Sequence, residues 1–498
     1  MNKQSLSLTI LTSTIIATCS VALAANRNGP DITETMKDSI VYLEITTHGY
    51  SQSEPWKHQR PSESWACACA VGDYEVVTTA ESVVNLAFLR ALRYGQNEYV
   101  GASLKVVDYD TNLCLIRLDP NTLSVPLKPL TFSENYEKGA EVGFYWLSSD
   151  NRLYNGRGYI DRASVEPTHI SHGRRLCFIA ANTSQRTSRG EVYCVGADPI
   201  GIAYWSNREK ESALIPAETI NRFLKVATGD TYKGFGEIGF VLSELLDPAM
   251  RSFLKMPAAM TGGAYVADVD NLGTGCDSFR KGDVILSIDG HALDPHGRFM
   301  HARYQQLSYD HLITSKAVGE HIRFELWRDG EKTELQQPVK NFDVSEMLVP
   351  YHENDRQPEY IITAGFVLQK LTREYLKIFG DDLAGQSPSH LYHYFRDHAF
   401  KPTLERRDIV ILSYVLPSPI NIGYTGLGRM VVSTFNGMKI RSIEDILTAQ
   451  KLNPESKYDI IEFELDNPVV VIPREQLPAA DQFIRRNYGI EQLSNIHP

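Results

Sequence analysis

Residues 65–83 read Trp-Ala-Cys-Ala-Cys-Ala-Val-Gly-Asp-Tyr-Glu-Val-Val-Thr-Thr-Ala-Glu-Ser-Val, two short β-rich runs about a Gly72-Asp73 turn. Val, Thr and aromatic residues suit a pleated, half-buried surface, and Gly-Asp interrupts it. The pattern continues in both directions. Residues 40–45 lie upstream; 104–108, 113–118, 142–147, 156–163, 176–180 and 200–205 lie downstream, with turn residues such as Asp119-Pro120 between them. Many short strands at this spacing predict a barrel or sandwich. A helix over 217–226, with Ile220 and Leu224 on one face, closes this first unit.

Two further units follow and resemble each other. The first contains Glu237-Ile238-Gly239-Phe240, a helical stretch over 248–254, the run Gly282-Asp283-Val284-Ile285 leading to Asp289-Gly290, and a strand pair over 321–328 and 332–336. The second contains Thr363-Ala364-Gly365-Phe366, a helical stretch over 372–378, the run Asp408-Ile409-Val410-Ile411, and Asn436-Gly437 at the matching turn. A repeat of about 125 residues is a duplicated domain rather than a solenoid. The polar stretch 343–358, with Pro350 and Pro358, reads as the linker between them.

At 498 residues the chain exceeds one hydrophobic core, which fits several domains. A formal charge of -11 without a dense Lys/Arg cluster argues against nucleic acid as the main partner. Residues 1–24 read as a signal peptide: Lys3, an apolar stretch over 6–21, then the small residues of Ala22-Leu23-Ala24 at a cleavage site. The expectation is an exported protein, periplasmic or otherwise extracytoplasmic; an uncleaved anchor is the rival reading. Six cysteines remain, Cys67, Cys69, Cys114, Cys177, Cys194 and Cys276. Cys67 and Cys69 share a strand face, so buried thiols or one disulfide are expected rather than a bond between these two. No Cys/His cluster completes a metal site, and no cofactor motif is present. His390, His393 and His398 sit among Tyr392, Tyr394 and Phe395 in what reads as an insertion helix packing on the last unit.

Residues 76–83 resemble the segment that delivers the catalytic histidine in HtrA/Deg serine proteases. Asp108-Tyr109-Asp110-Thr111-Asn112-Leu113-Cys114 resembles the segment carrying the triad aspartate, residues 180–190 stand where that family has its nucleophile loop, and 201–206 resemble the strand after it. The similarity is co-linear over nearly the whole chain after the leader, nearest to plant-type Deg proteases with two PDZ domains. It implies a mainly β chain: a trypsin-like double β-barrel over 36–226, then two PDZ-like α+β domains over 230–342 and 350–498.

The residues depart from the family where its chemistry is done. By the resemblance, Glu81 stands at the histidine position, Asn112 at the aspartate position, and Ser188 at the nucleophile. A serine triad needs an imidazole that takes the hydroxyl proton and returns it to the leaving amine, and a carboxylate that holds its tautomer. A glutamate with a pKa near 4.3 is a poor base at pH 7, and Asn112 stabilises no cation. In the oxyanion loop, Arg186 replaces a glycine whose N–H should be a donor beside Ser188. Losses in kcat on the order of 10⁴ to 10⁶ are expected by analogy with triad knockouts. Two rescues remain: Glu81 as a base of raised pKa, or an imidazole from His48, His58, His169 or His172.

The later units keep more of their pattern. A PDZ domain binds a peptide as an added strand, with the terminal carboxylate in a nest of N–H groups from an X-apolar-Gly-apolar loop. Ile238, Gly239 and Phe240, and again Ala364, Gly365 and Phe366, have that form; in the second unit simple strand-and-turn structure is the favoured reading. The resemblance implies an inactive protease homologue that binds peptides or unfolded proteins as chaperone, scaffold or regulator of active Deg relatives, in a trimer-based homo-oligomer. The alternatives are an active serine endopeptidase using Ser188 with a non-standard base, or a structural envelope protein whose PDZ units only drive assembly.

Overall fold

The structure, a computed structural model, describes residues 32–123, 125–183, 188–229, 231–465 and 468–496; the leader expected over 1–24 and Arg186 lie outside the described residues. After helix α1 (Ile32–Lys37), strands β1 (Ile40–Thr47), β2 (Ser62–Ala70), β3 (Glu75–Thr79), β4 (Leu86–Arg93), β5 (Tyr99–Asp108) and β6 (Leu113–Leu118) close a barrel in the order β1-β2-β3-β6-β5-β4. A second closed barrel, ordered β10-β11-β12-β9-β8-β7, is built from β7 (Glu141–Leu147), β8 (Leu153–Pro167), β9 (Arg174–Asn182), β10 (Val192–Val195), β11 (Asp198–Ser206) and β12 (Glu211–Pro216). Helix α2 (Ala217–Ala227) packs onto them.

The alternation in β2 explains this arrangement. Ala66, Ala68 and Ala70 face the first barrel's interior beside Val41, Leu43 and Ile45 of β1, in the register Leu43↔Ala66 and Val41↔Ala68. Cys69 points the other way, into a core shared with Leu147, Val192, Cys194 and Ile202 of the second barrel. Both faces are buried, so the run shows no polar alternation. The cysteines act as small apolar residues: the six are free thiols, five of them buried, and the one-disulfide alternative finds no bonded pair. Cys67 turns its Sγ to the Leu147 carbonyl at 3.5 Å, and burial lifts its pKa well above the usual thiol range.

The third unit contains β13 (Phe240–Ser243), α3 (Pro248–Phe253), β14 (Ala264–Val269), β15 (Val284–Ile288), β16 (His291–Ala292), β17 (Arg298–His301), β18 (Gln305–Ser308), α4 (Asp310–Thr314), β19 (His321–Arg328) and β20 (Glu331–Pro338). Its sheet runs β13-β14-β15-β19-β20, which leaves β13 at an edge. The fourth contains β21 (Tyr360–Thr363), β22 (Phe366–Lys370), α5 (Arg373–Leu376), α6 (Leu383–Gln386), α7 (Ser389–His398), β23 (Val410–Val415), β24 (Met430–Phe435), β25 (Met438–Lys439), α8 (Glu444–Gln450), β26 (Tyr458–Phe463), β27 (Val470–Pro473), α9 (Leu477–Tyr488) and β28 (Ser494–Asn495). Here the order is β27-β26-β24-β23-β22-β21-β28, so β22 is an inner strand.

Residues 343–358 are not a free spacer. Met347, Leu348 and Val349 are fully or nearly fully buried with Leu371, Tyr375 and Phe395 of the fourth unit. Each such side chain gains about 1.5–3 kcal/mol from burial, enough to hold the connection in place despite its polar composition. No helix among the described residues is long and apolar enough to cross a membrane.

Candidate functional site

Strand β3 ends at Thr79 and passes into a single 3₁₀ turn, Ala80–Val83, that carries Glu81. Asn112 lies on the tight connection from β5 to β6, at φ 56°. Asparagine tolerates that left-handed conformation better than most residues, and its side chain bonds locally while there. The Asn112 Oδ1 accepts the Glu81 N–H at 2.9 Å, its Nδ2 donates to Glu81 Oε2 at 3.4 Å, and its backbone carbonyl accepts the Ala80 N–H at 3.1 Å. The two positions singled out in the sequence are therefore brought together, as an amide–carboxyl pair. Burial pushes Glu81 up to about 7, although the Asn112 bond and the Arg189 charge pull it down. This differs from the ordinary glutamate value assumed above: enclosure by the two barrels supplies the shift.

Ser188 is half-buried beyond β9. After it, the Arg189 carbonyl accepts the Cys67 N–H at 2.7 Å, and the Arg189 guanidinium lies over the Trp65 ring at 5.0 Å. Gly190 takes φ +88°, and a Cβ there would sit 2.2 Å from the Cys67 carbonyl, so only glycine fits. Glu191 turns back into the loop: its Oε2 accepts the Arg189 N–H at 2.6 Å, and the N–H groups of Glu191 itself and Ser188 also favour its ionised form. Burial is the larger effect and lifts Glu191 to about 7. The loop's N–H groups thus face an internal carboxyl group.

None of the four candidate histidines has a hydrogen bond to Ser188 or Glu81 among the described residues. His48 stacks on His58 at 4.2 Å, and His169 lies beside Trp205 at 6.2 Å. His172 is buried 3.2 Å from Glu237. Burial depresses its pKa, yet Glu237 and Asp110 win and raise it.

In the third unit Gly239 donates its N–H to the Thr274 carbonyl at 2.9 Å, and a Cβ there would lie 2.5 Å from the Leu272 carbonyl. Ile238 bridges to Thr274 and Phe240 is buried. The free edge of β13 faces a cavity of about 610 Å³, lined by Val241, Leu242, Tyr309, Arg174 of the second barrel and Phe400 of the fourth unit. The fourth unit differs. Thr363 pairs with Phe366, so Ala364 (φ 50°) and Gly365 (φ +90°) are the two central residues of a hairpin turn with both φ positive. The Ala364 N–H donates to Asp481 of α9 at 3.2 Å, and β21 and β23 occupy both edges of β22. At Ala364, Gly365 and Phe366, offered as candidate peptide-binding residues but favoured as strand-and-turn structure, the chain's own β21 lies where a peptide strand would add. A signal was present, two apolar runs separated by two residues ending in glycine.

A protein-family profile for the PDZ domain matches residues 349–495. The chain is 28% identical over 460 residues to the protein "Protease Do-like 2, chloroplastic" of Arabidopsis thaliana, covering 90% of this chain and 73% of that one. It is 24% identical over 401 residues to "Protease Do-like 4, mitochondrial" of the same plant, covering 79% and 73%. Among solved structures, "HtrA-type protease AlgW with decapeptide" superposes with a TM-score of 0.47 at 15% identity, covering 63% of this chain and 98% of that one. The chain is a Deg/HtrA protease homologue.

Within this Deg/HtrA homologue one cluster escaped the sequence reading. Arg175 of β9 donates to the Gly236 carbonyl at 3.2 Å, the Thr314 carbonyl at 2.8 Å and the Asp110 carbonyl at 3.2 Å, and forms an ion pair with Glu237. It ties the 108–112 segment to the β13 loop. Burial lifts the Asp110 carboxyl to about 6, with Glu237 and Asp108 adding to the rise. No local motif marks these residues, which meet only when the barrel and third unit dock.

Proposed function

We propose that this Deg/HtrA homologue is exported, binds peptide segments at the β13 edge of its first PDZ-like unit, and does not cleave them by a serine–histidine–aspartate mechanism. The observation that carries the reading is the Glu81–Asn112 pair. Among the described residues no imidazole is hydrogen-bonded to Ser188, and none of them both accepts its proton and returns it to a leaving amine as a cation. The position of Glu191 supports the same reading, because the loop N–H groups that would stabilise an oxyanion are directed at a carboxyl group. The open edge of β13 beside its cavity supports strand addition. A trimer-based assembly, and a holdase, scaffold or regulatory role beside active Deg relatives, belong to this proposal, as does export through the 1–24 leader.

A specific observation favours a second reading. Glu81 at about 7 is a better base than an ordinary glutamate. Casein hydrolysis by residues 25–498 across pH 3 to 9, beside Ser188→Ala and Glu81→Gln, separates the two. The expected outcome is no turnover above the variants; turnover abolished by both substitutions establishes the enzyme instead. For the peptide half, a C-terminal peptide that binds the whole protein should bind at least about tenfold more weakly when its backbone is N-methylated, since strand addition uses main-chain N–H groups.

A further inference from the structure

His172, on the loop between β8 and β9, carries its ring into the place where three units meet, and its side chain is 7% exposed. Phe342 of the first PDZ-like unit stacks on the ring at 5.0 Å, and Phe400 and Tyr351 of the second PDZ unit lie 5.4 and 6.1 Å away. His172 and Phe400 also line the cavity beside β13, so this junction is part of the groove wall. Directed hydrogen bonds do not hold the ring. Its Nε2 lies 3.2 Å from the Glu237 carboxyl without a hydrogen bond's geometry, and Nδ1 has no hydrogen-bond partner among the described residues. A neutral imidazole buried in this way loses its bonds to water without replacement. A charged one is held by the carboxylate and by the faces of the aromatic rings.

The nearest charges form a balanced set across the seam between barrel and first PDZ-like unit. Two are carboxyl groups, Glu237 before β13 and Asp110 between β5 and β6; two are cations, His172 itself and Arg175 of β9. Arg174, on the same loop, turns to the Val165 carbonyl. On the connection side, a cavity of about 160 Å³ joins the ring to Asp343 and Arg356, which pair with each other, to His352, which pairs with Glu374, and to Glu353. Beside Phe400, Lys401 pairs with Asp268, and Asp270 adds a further negative charge that acts on the ring. Burial depresses the imidazole, but Glu237 and Asp110 outweigh it and hold its pKa above the ordinary 6.5. The stabilisation is therefore complete below about pH 6.5 and is lost as pH rises through the higher folded value. Once the proton leaves, Arg175 alone faces Glu237 and Asp110, two carboxyls that already repel each other.

We propose that His172 is a pH-sensitive clip: its imidazolium holds the barrel against both PDZ units, and loss of the proton frees Phe400 from the wall of the β13 groove. The clip stands whether or not that groove takes peptides. Hydrogen exchange of the whole protein at pH 6.0 and 8.5, corrected for the intrinsic pH dependence of amide exchange, tests it. Residues 168–174 and 396–402 should exchange at least about threefold faster at pH 8.5, while β23 in the core of the second PDZ unit should not. His172→Phe keeps the ring contacts and cannot titrate, so both segments should exchange at the faster rate at either pH. Should that variant not fold, His172→Gln makes the same test. Exchange that ignores pH in the wild type, acceleration shared equally by β23, or a pH response kept by a folded His172 variant overturns the proposal.

Discussion

Glu81 and Glu191 are two carboxyl groups enclosed between the barrels, and burial lifts both to about 7. A carboxyl raised in the folded state holds its proton there more tightly than in the unfolded chain, where the model value is 4.5. Its stabilising contribution is therefore complete below about pH 4.5, fades as pH rises, and is gone above about 7. Burial also lifts Asp110 and Asp270 to about 6, which acts in the same direction. Unfolding by urea at pH 5, 6, 7 and 8 should show the midpoint falling with pH. Glu81→Gln combined with Glu191→Gln should flatten that fall, by up to about 3 kcal/mol per group. An unchanged slope in the double variant would mean that both carboxyls titrate normally. Glu81 and Asn112 stand out in the sequence through the resemblance of residues 76–83 and 108–114 to the triad segments of HtrA/Deg proteases. The protonation of Glu81 was not legible there, since desolvation depends on what the second barrel lays over it.

Two tetrapeptides of the same form became different elements. Glu237-Ile238-Gly239-Phe240 follows a stretch without a pairing strand, so β13 keeps an open edge. Thr363-Ala364-Gly365-Phe366 follows β21, and the two residues between Thr363 and Phe366 close a tight hairpin. Gly365 is held there by its φ of +90° and by the Leu416 carbonyl, 2.3 Å from where a Cβ would be. Gly365→Val should lower stability by about 1–3 kcal/mol in denaturant unfolding without changing peptide affinity at β13. A loss of peptide binding in a variant that stays folded would return the site to the second unit. The same spacing of two apolar runs explains the strands that composition exposed. Strands β4, β10 and β12 were missed because Leu86–Arg93 mixes charge into its run, Val192–Val195 is short, and Glu211–Pro216 starts polar.

Four units behave as one packed body. The Phe178 ring of the second barrel lies 5.7 Å from Tyr304 of the first PDZ-like unit. Trp56, between β1 and β2, lies 6.1 Å from Tyr360 of the last unit, and Gln357 donates to the Pro55 carbonyl at 2.9 Å. The polar joint among them is Arg175, whose guanidinium is shared by Glu237, Gly236, Thr314 and Asp110. Arg175→Met leaves the buried Glu237 without its guanidinium partner, a loss of about 3–5 kcal/mol. The expected readout is faster cleavage of the 228–236 connection by added protease and a larger radius of gyration in solution scattering. Wild-type cleavage kinetics with an unchanged radius would mean that the aromatic contacts alone hold the units together.

The sequence by itself determined a strand-rich first unit, a barrel or sandwich, and the two similar units after it, because strand period and turn residues are local and survive in the order of residues; the double barrel and the triad positions assigned to Glu81 and Asn112 are what the family resemblance implies. Tertiary structure alone decided that Glu81 bonds to Asn112, that Glu191 turns its carboxyl onto the N–H groups of the 188–191 loop, and that β21 closes the edge of β22 in the second PDZ unit. Those outcomes depend on which distant segments are packed against each group, and burial and pairing are properties of that packing rather than of any residue's neighbours along the chain.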